Sequence, residues 1–592
     1  MRLPVALDRQ TLISTLIGLM QGTLLLLMHE LLKAHQWPST SPSIVTAWYA
    51  VAIAVPLAMQ LMVTHLEKPL ARGFVIWLKA ILIGLSIYMV RTSLSFDGGS
   101  GSYETVAYFV STIALAWFVV LPFVQSRLVS GGPGFPYPLL FEFSWNNMIT
   151  LHVAAVFTGL FWGLLGLWAS LFTVIGIRFF AELFIKSSFI YLVTASVFGF
   201  GLSFGRAHGG LVSNLRSTVL LVFRNLLPLA AFIAVLFLGF LPFTGLKLLW
   251  DTGHATMLML NMQIYIILFL NAVYQDGSGE PPYDRAIREL VTAAVMLLPV
   301  SAALCVYAMG LRIHQHGWSV DRVFAALIVF ITGLYGVGYA IAAFKRQTPW
   351  MRGIGPINVR VAALVIALAV LVNTPVLDPR IITVRSQVHR LLRGGVKPDQ
   401  FDYGYFRFQL GQPGIQALKR LAQLKNHPQT GRINVLAREA LAKEARWDSP
   451  GAPAKTPQQI MDKLKLFPEG EKLDPTFPEM LLSRKKEFYW FLSARQPLQV
   501  LAVDLNADGR KEYVLFAPNN PVVFTQADGG WKKVGRLLSY GRWFTEEQRE
   551  TALKQGHYEV GPFRWKKLRI EDLDCFVSEE PDRPSHTIEL VD

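Results

Sequence analysis

The best-formed chemical grouping in the chain is Asp504-Leu505-Asn506-Ala507-Asp508-Gly509-Arg510-Lys511-Glu512. Counting from Asp504, side-chain oxygens fall at positions 1, 3, 5 and 9 and the Arg510 carbonyl at 7, while Gly509 permits the sharp turn that lets a loop wrap a hard cation such as calcium. Position 12 is Leu515 where an EF-hand needs an acid, so the loop is not an EF-hand. The same residue types also close a metal-free hairpin through Asx turns, in which a carboxylate or amide accepts N–H groups of its own loop. The spacing leaves both readings open.

The other candidates are polar residues within or beside long apolar runs, where an ionisable group is costly and therefore points to function. They are Glu30 beside His29, Lys79, His152, Arg178, Glu182, Lys186, Arg224, Glu289 and the amide Asn271. Lys79 and Arg224 can snorkel to the surface, and Asn271 can hydrogen-bond a neighbouring helix. Arg178, Glu182 and Lys186 stand at i, i+4 and i+8, one stripe of a helix with Phe179 and Phe180 opposite, which fits a packing pair or a substrate contact. His314-Gln315-His316 offers a His-x-His spacing but no third ligand. No GxxxxGK[ST] or HExxH occurs, so an enzyme is the less favoured class.

The elements that must position these residues follow from charge distribution. Residues 1–375 carry 22 basic and 13 acidic side chains, and residues 376–592 carry 34 and 28. The first part is too apolar to be water-soluble. Eleven runs are long enough to cross about 30 Å of hydrocarbon, the first near Thr11–Leu32 and the last near Val361–Pro375. With the N-terminus inside, thirteen Lys or Arg lie in cytoplasmic loops against seven outside, which orients the bundle and puts the tail in the periplasm of a bacterial inner membrane. Leu171–Lys186 could be counted as a twelfth crossing, but its charged stripe suits a helix lying in the outer interface. If it crossed, the tail would be cytoplasmic. The excess of basic residues is spread over loops, which excludes a nucleic-acid footprint, and two cysteines, Cys305 and Cys575, exclude a disulfide framework.

The expected fold is therefore a polytopic α-helical membrane protein followed by a soluble α+β tail ending in a small β-meander. Its divisions are a transmembrane domain over 1–375, a helical extracytoplasmic segment over 376–449, a linker with a short helix over 450–488, and a β-rich module over 489–592. Amphipathic helices are expected at Ile382–Leu392 and Pro413–Leu424 and a charged helix with alanines at Arg432–Arg446, with another starting at Thr456, where Gln459 suits a capping box. From Tyr489 the period changes to 2, giving strands at Gln499–Val503, Tyr513–Ala517, Pro521–Thr525 and Trp531–Leu537.

Several runs resemble a bacterial inner-membrane family, the domain of unknown function 4153 family. They are Trp145-Asn146-Asn147, Leu160-Phe161-Trp162-Gly163, Phe240-Leu241-Pro242-Phe243-Thr244-Gly245, Leu270-Asn271-Ala272-Val273-Tyr274-Gln275-Asp276-Gly277, His316-Gly317-Trp318-Ser319 with Asp321-Arg322, Ser386-Gln387 with Arg390, and Phe401-Asp402-Tyr403 with Leu410-Gly411 and Gly414. The resemblance spans roughly residues 130–425 and implies a membrane topology without an assigned activity. Separately, the 504–512 loop with Asp528-Gly529-Gly530-Trp531 after it resembles the calcium loops of FG-GAP and VCBS-type β repeats. That likeness implies Asp504, Asn506, Asp508 and Glu512 as side-chain ligands and Arg510 as a carbonyl ligand.

The function expected is that of an envelope scaffold, assembly or sensor component whose periplasmic domain binds calcium, in contact with membrane lipids and with envelope proteins or glycans. The alternative is a transporter or flippase for a lipid or small solute, carried by the helices. An enzyme acting on a lipid-linked precursor rests on architecture alone.

Overall fold

The computed structural model describes residues 9–575 apart from 94–99, 208, 248, 250–253, 280–281, 346–349, 444–455, 469, 485–486, 489–490, 492–497, 517–520, 528–529, 537–545, 557–567 and 571–572. The expected linker at 450–455 and the Asp528-Gly529 turn lie outside the described residues. The chain forms two compact units, 1–442 and 443–592.

Among the described residues of the first unit, eleven helices are long and apolar enough to cross a membrane. They are α1 (Arg9–Lys33), α2 (Pro42–Leu61), α3 (Pro69–Thr92), α4 (Ser100–Ser130), α5 (Tyr137–Val174), α7 (Ser187–Ala207), α8 (Gly209–Thr244), α9 (Ala255–Tyr274), α10 (Arg285–His316), α11 (Val320–Phe344) and α12 (Ile354–Leu371). The protein is a membrane protein. Its lipid-facing positions keep large apolar side chains such as Ile76, Trp77, Leu160, Leu164 and Phe240 exposed.

Small residues let the helices approach closely. Gly18 and Gly22 of α1, spaced as GxxxG, lie against α7, where an added Cβ would come within 2.3 Å of the Ala195 carbonyl and 2.4 Å of the Tyr191 carbonyl. Ser14 Oγ donates to the Gly199 carbonyl at 2.9 Å near one end of this seam, and His29 Nε2 meets Ser187 Oγ at 3.2 Å near the other. Thus α1 and α7 are antiparallel, and α7 begins on the side where α1 ends.

Residues 171–186 correct the expectation of one helix there. Leu171–Val174 finish α5, the chain turns through Gly176 at a φ of +88°, and only Phe179–Phe184 form helix α6. Six residues rise about 9 Å at 1.5 Å each, far short of a span.

After the last span, α13 (Pro379–Leu392), α14 (Tyr403–Phe408), α15 (Gly411–Leu421) and α16 (Thr430–Ala442) fold into a cap with its own core of Leu391, Phe401, Phe406, Leu418, Ile433 and Ala437. The cap is docked on the span ends. Gly411, at a φ of +62°, brings the start of α15 so close to α3 that a Cβ would stand 2.3 Å from the Thr92 carbonyl. From α13, Gln387 Nε2 donates to the His316 and Trp318 carbonyls at 2.8 Å each, and Arg390 Nη2 donates to the Gln315 carbonyl at 2.7 Å.

The second unit holds a five-stranded sheet in the order β1 (Leu464–Phe467), β2 (Leu498–Val503), β3 (Glu512–Leu515), β4 (Val522–Ala527) and β5 (Gly530–Arg536). Four strands form the expected meander, while β1 pairs parallel with β2. This strand lies where only a linker and a short helix were expected. Its four residues are too few to show a period. Short helices α17 (Pro457–Met461) and α18 (Thr476–Ser483) precede the meander, and Phe477 of α18 packs edge-on to Tyr513, Phe524 and Trp531 in the core. A helix α19 (Glu546–Lys554) and a hairpin of β6 (Leu568–Ile570) and β7 (Leu573–Cys575) follow.

Candidate functional site

The polar groups of the first unit gather at the end of the bundle where α3 and α12 finish, α4 and α11 begin, and the cap docks. A cavity of about 260 Å³ opens there, lined by Tyr88, Glu104, Tyr108, Asp321, Asp378 and Arg380 among others. Two residues set its inner wall. Asp378, 1 % exposed, caps α13 by accepting from Arg380 N at 2.8 Å, and Arg380, 8 % exposed, answers with Nε at 3.0 Å and Nη2 at 2.8 Å. Tyr88 donates its hydroxyl to Asp378 Oδ2 at 2.8 Å, and Arg380 Nη2 also reaches Thr92 Oγ1 at 2.6 Å. A buried carboxylate is tolerated only when paired and hydrogen-bonded, and this one is both. Arg380 Nη1 is buried and has no partner.

At the mouth, Glu104 and Asp321 are exposed. Tyr108 donates to Asp321 Oδ1 at 2.5 Å and stacks on Phe324 with ring centroids 4.5 Å apart. Val320 N donates to Tyr405 Oη at 3.4 Å, and burial, with Asp321 and Glu104 nearby, raises the Tyr405 phenol above its ordinary pKa. The arrangement can bind. It offers aromatic walls, carboxylates and one buried donor without an acceptor, but no nucleophile beside a general base.

Deeper in the helices a second polar group is closed on itself. Asn271 Nδ2 donates to Tyr339 Oη at 2.8 Å, Asn358 Nδ2 donates to Asn271 Oδ1 at 2.6 Å and to Tyr137 Oη at 2.9 Å, and Tyr339 donates to Asn358 Oδ1. Asn271 thus ties α9 to α11 and α12, the inter-helix role its side chain suggests. Asn147 and Gln125 exchange two side-chain hydrogen bonds, at 2.7 and 3.2 Å, between α5 and α4.

The remaining sequence candidates are dispersed. Arg178, Glu182 and Lys186 are exposed, and the stripe they would form is cut short, because Arg178 is the N-cap of six-residue α6 and Lys186 lies beyond its end. Among the described residues no ion pair joins Arg178 to Glu182. Glu30 meets Lys33 of its own helix at 3.4 Å, both half exposed. The sequence reading missed Tyr88, Tyr108, Asp378 and Arg380, and took Asp321 only as part of a family run. The signal that could have found them is the recurrence of Tyr, Asp and Arg at the ends of α3, α4, α11 and α13.

The 504–512 loop joins β2 to β3, with Val503 paired to Glu512. Ala507 and Gly509 take left-handed φ angles of +59° and +82°. Asp504 accepts from Asp508 N at 3.3 Å and Gly509 N at 2.9 Å, Asn506 Oδ1 from Asp508 N at 2.9 Å, and Asp508 Oδ1 from Arg510 N at 2.8 Å. The hydrogen bonds from Arg510 N and the Asn506 amide hold the Asp508 carboxyl below its usual range. Glu512, 3 % exposed, accepts from Leu505 N at 2.8 Å and Thr525 Oγ1 at 2.9 Å. The contacts of Asn506 and Asp508 are Asx turns, those of Asp504 and Glu512 close the loop on itself and on β4, and among the described residues no group of three or more His, Cys, Asp or Glu is arranged around a metal position. The donor set itself, oxygens alone, is the chemistry of calcium.

The family model described as a domain of unknown function, DUF4153, matches residues 16–421, which takes in the spans, the cavity and most of the cap and leaves the 504–512 loop outside. No curated protein and no solved structure matches the chain.

Proposed function

The chain belongs to the DUF4153 family, and from that premise we propose that it is a ligand-responsive assembly or sensor component of a bacterial cell envelope, with the capped cavity as its binding site. One observation carries the reading. The cavity is shared between span ends and the cap through Tyr88, Tyr108, Asp321, Tyr405, Asp378 and Arg380, so a ligand there bears on both. The distribution of basic loop residues supports a cytoplasmic N-terminus in the inner membrane, with cap and β module facing the periplasm, where envelope proteins or glycans would meet them. Calcium belongs to this reading as a ligand of the β module: Asp504, Asn506, Asp508, Glu512 and the Arg510 carbonyl would exchange their present partners for the ion.

The test uses a strain lacking the protein and scored for envelope integrity under detergent or osmotic stress. A chain ending at Ala442 keeps the whole first unit. Loss of complementation with normal membrane insertion supports an assembly role carried by the second unit, and full complementation removes that role; the cavity lies wholly in the first unit, so its part is tested by Asp321→Asn in the full chain, where full complementation removes it. Transport is the second reading, favoured by the part-buried polar group of Tyr137, Asn271, Tyr339 and Asn358 among the helices, and it predicts full complementation by the truncated chain.

A further inference from the structure

The cavity under the cap carries two unmatched electrostatic demands at separate places, and together they define a ligand. This step rests on the proposal that the cavity is a binding site.

The first demand is at the inner wall. The Asp378 carboxylate accepts from Arg380 N, Nε and Nη2 and from the Tyr88 hydroxyl. It has no capacity left to attract a further cation. Arg380 Nη2 is shared between Asp378 and Thr92, while Nη1, on a side chain only 8 % exposed, has no acceptor. A buried charged donor left unmade is costly, so an anionic oxygen brought to this guanidinium is favoured there.

The second demand is at the mouth. Asp321 and Glu104 are carboxylates with no ion-pair partner among the described residues. Tyr108 occupies one oxygen of Asp321. The nearest sequence cation, Arg322, turns its Nη1 to the Gly317 carbonyl at 2.8 Å. Three carboxylates against one arginine leave the lining two negative charges in excess. Two acids beside the stacked Tyr108 and Phe324 rings make a cation-selective mouth, because ring faces and carboxylates both attract an ammonium group.

A simple anion satisfies Arg380 but is repelled by the mouth. A simple cation suits the mouth but leaves Nη1 unmade. A neutral polyol satisfies neither charge. We propose that the cavity takes a small zwitterion, with its ammonium between Asp321 and Glu104 beside the Tyr108 ring and its anionic oxygen on the Arg380 guanidinium, a small turn of which brings the sealed Nη1 to the ligand. A cavity of about 150 Å³ holds benzene, so one of about 260 Å³ has room for a molecule the size of an aminoalkyl phosphate. That chemistry has two sources, the headgroup of a surrounding lipid and a free solute.

The experiment places the full chain in nanodiscs of phosphatidylglycerol and titrates four probes by calorimetry: O-phosphoethanolamine, ethanolamine, inorganic phosphate and glucose. The expected result is saturable binding of O-phosphoethanolamine, about tenfold tighter than ethanolamine or phosphate, with that advantage lost in Asp321→Asn and Glu104→Gln. Both substitutions are at exposed positions and leave the Asp378–Arg380 pair intact. Repeating the titration in nanodiscs containing phosphatidylethanolamine separates the sources: competition by the lipid assigns the headgroup, and unchanged binding assigns the free solute, either of which supports the zwitterion. Ethanolamine, phosphate or glucose binding as tightly as the zwitterion overturns the ligand class while the cavity remains a binding site. No binding by any of the four overturns the site itself.

Discussion

Tyr108 donates its hydroxyl to Asp321 Oδ1 across 2.5 Å, which sets the start of α4 beside the start of α11. Between those two starts the chain runs through α4, α5, α7, α8, α9 and α10, an even number of crossings. A crossing by residues 171–186 would make the number odd and put Tyr108 and Asp321 on opposite faces. His29 and Ser187 give the same answer independently, since the end of α1 meets the start of α7. The expected outcome is that reporters fused before Met1 and after Asp592 lie on opposite sides of the membrane. A cytoplasmic signal from both ends would contradict the two contacts at once.

The seam between α1 and α7 depends on absent side chains. Gly18→Leu would drive its Cβ into the Ala195 carbonyl, 2.3 Å away, and the helices must separate or shift. Overpacking of this kind costs about 1–3 kcal/mol. The expected result is a lowered thermal midpoint of the detergent-solubilised chain, with Gly73→Leu as the control because nothing lies within 4 Å of a Cβ there.

Asn271 is the hub of the part-buried polar group, so truncating it leaves partners behind. Asn271→Leu leaves the Asn358 amide only its Tyr137 acceptor and removes the Asn271 amide donor from Tyr339, an expected loss of about 1–3 kcal/mol. The double substitution Asn271→Leu with Asn358→Leu should cost less than the sum of the two singles. Additive midpoints would show that the two amides do not act as one group.

The spans were legible because length and apolarity suffice to find them, and the capping signal at Thr456 was legible because it is local: its Oγ1 accepts from Gln459 N at 3.3 Å. The cavity was not. Tyr88, Tyr108, Asp321 and Asp378 come from four separated stretches, and an ionisable residue at a span end reads the same whether it meets water or closes against a cap. Asp378 illustrates the difference, being 1 % exposed although it stands just beyond the last span. The Arg178, Glu182 and Lys186 stripe failed for the opposite reason, since the spacing assumed a helix running on through Lys186, whereas α6 starts just after Arg178 and ends at Phe184.

At the 504–512 loop, Asp504→Ala removes the acceptor for Asp508 N and Gly509 N. In a chelator the variant should melt below the native chain by an amount equivalent to about 1 kcal/mol. Calcium should raise the midpoint of the native chain and leave that of the variant unchanged. Equal responses of the two chains to calcium would leave the Asx turns as the whole role of the loop.

Acid sensitivity of the second unit should trace in part to Glu550. Lys465, which approaches it at 2.5 Å, and Lys554, at 2.9 Å, hold its carboxyl down to about 2. Unfolding frees the group to titrate near its ordinary value of about 4.5. A folded pKa below the unfolded one contributes stability above the unfolded value, and that stability is lost as pH falls toward the folded value. Glu550→Gln should therefore melt below the native chain at pH 7, with the gap narrowing as pH drops below about 4.5. The carboxylate is about one-third exposed, so the gap should also shrink in high salt. A gap independent of both pH and salt would mean that α19 is held to β1 by packing alone and that the Lys465–Glu550 pair adds nothing.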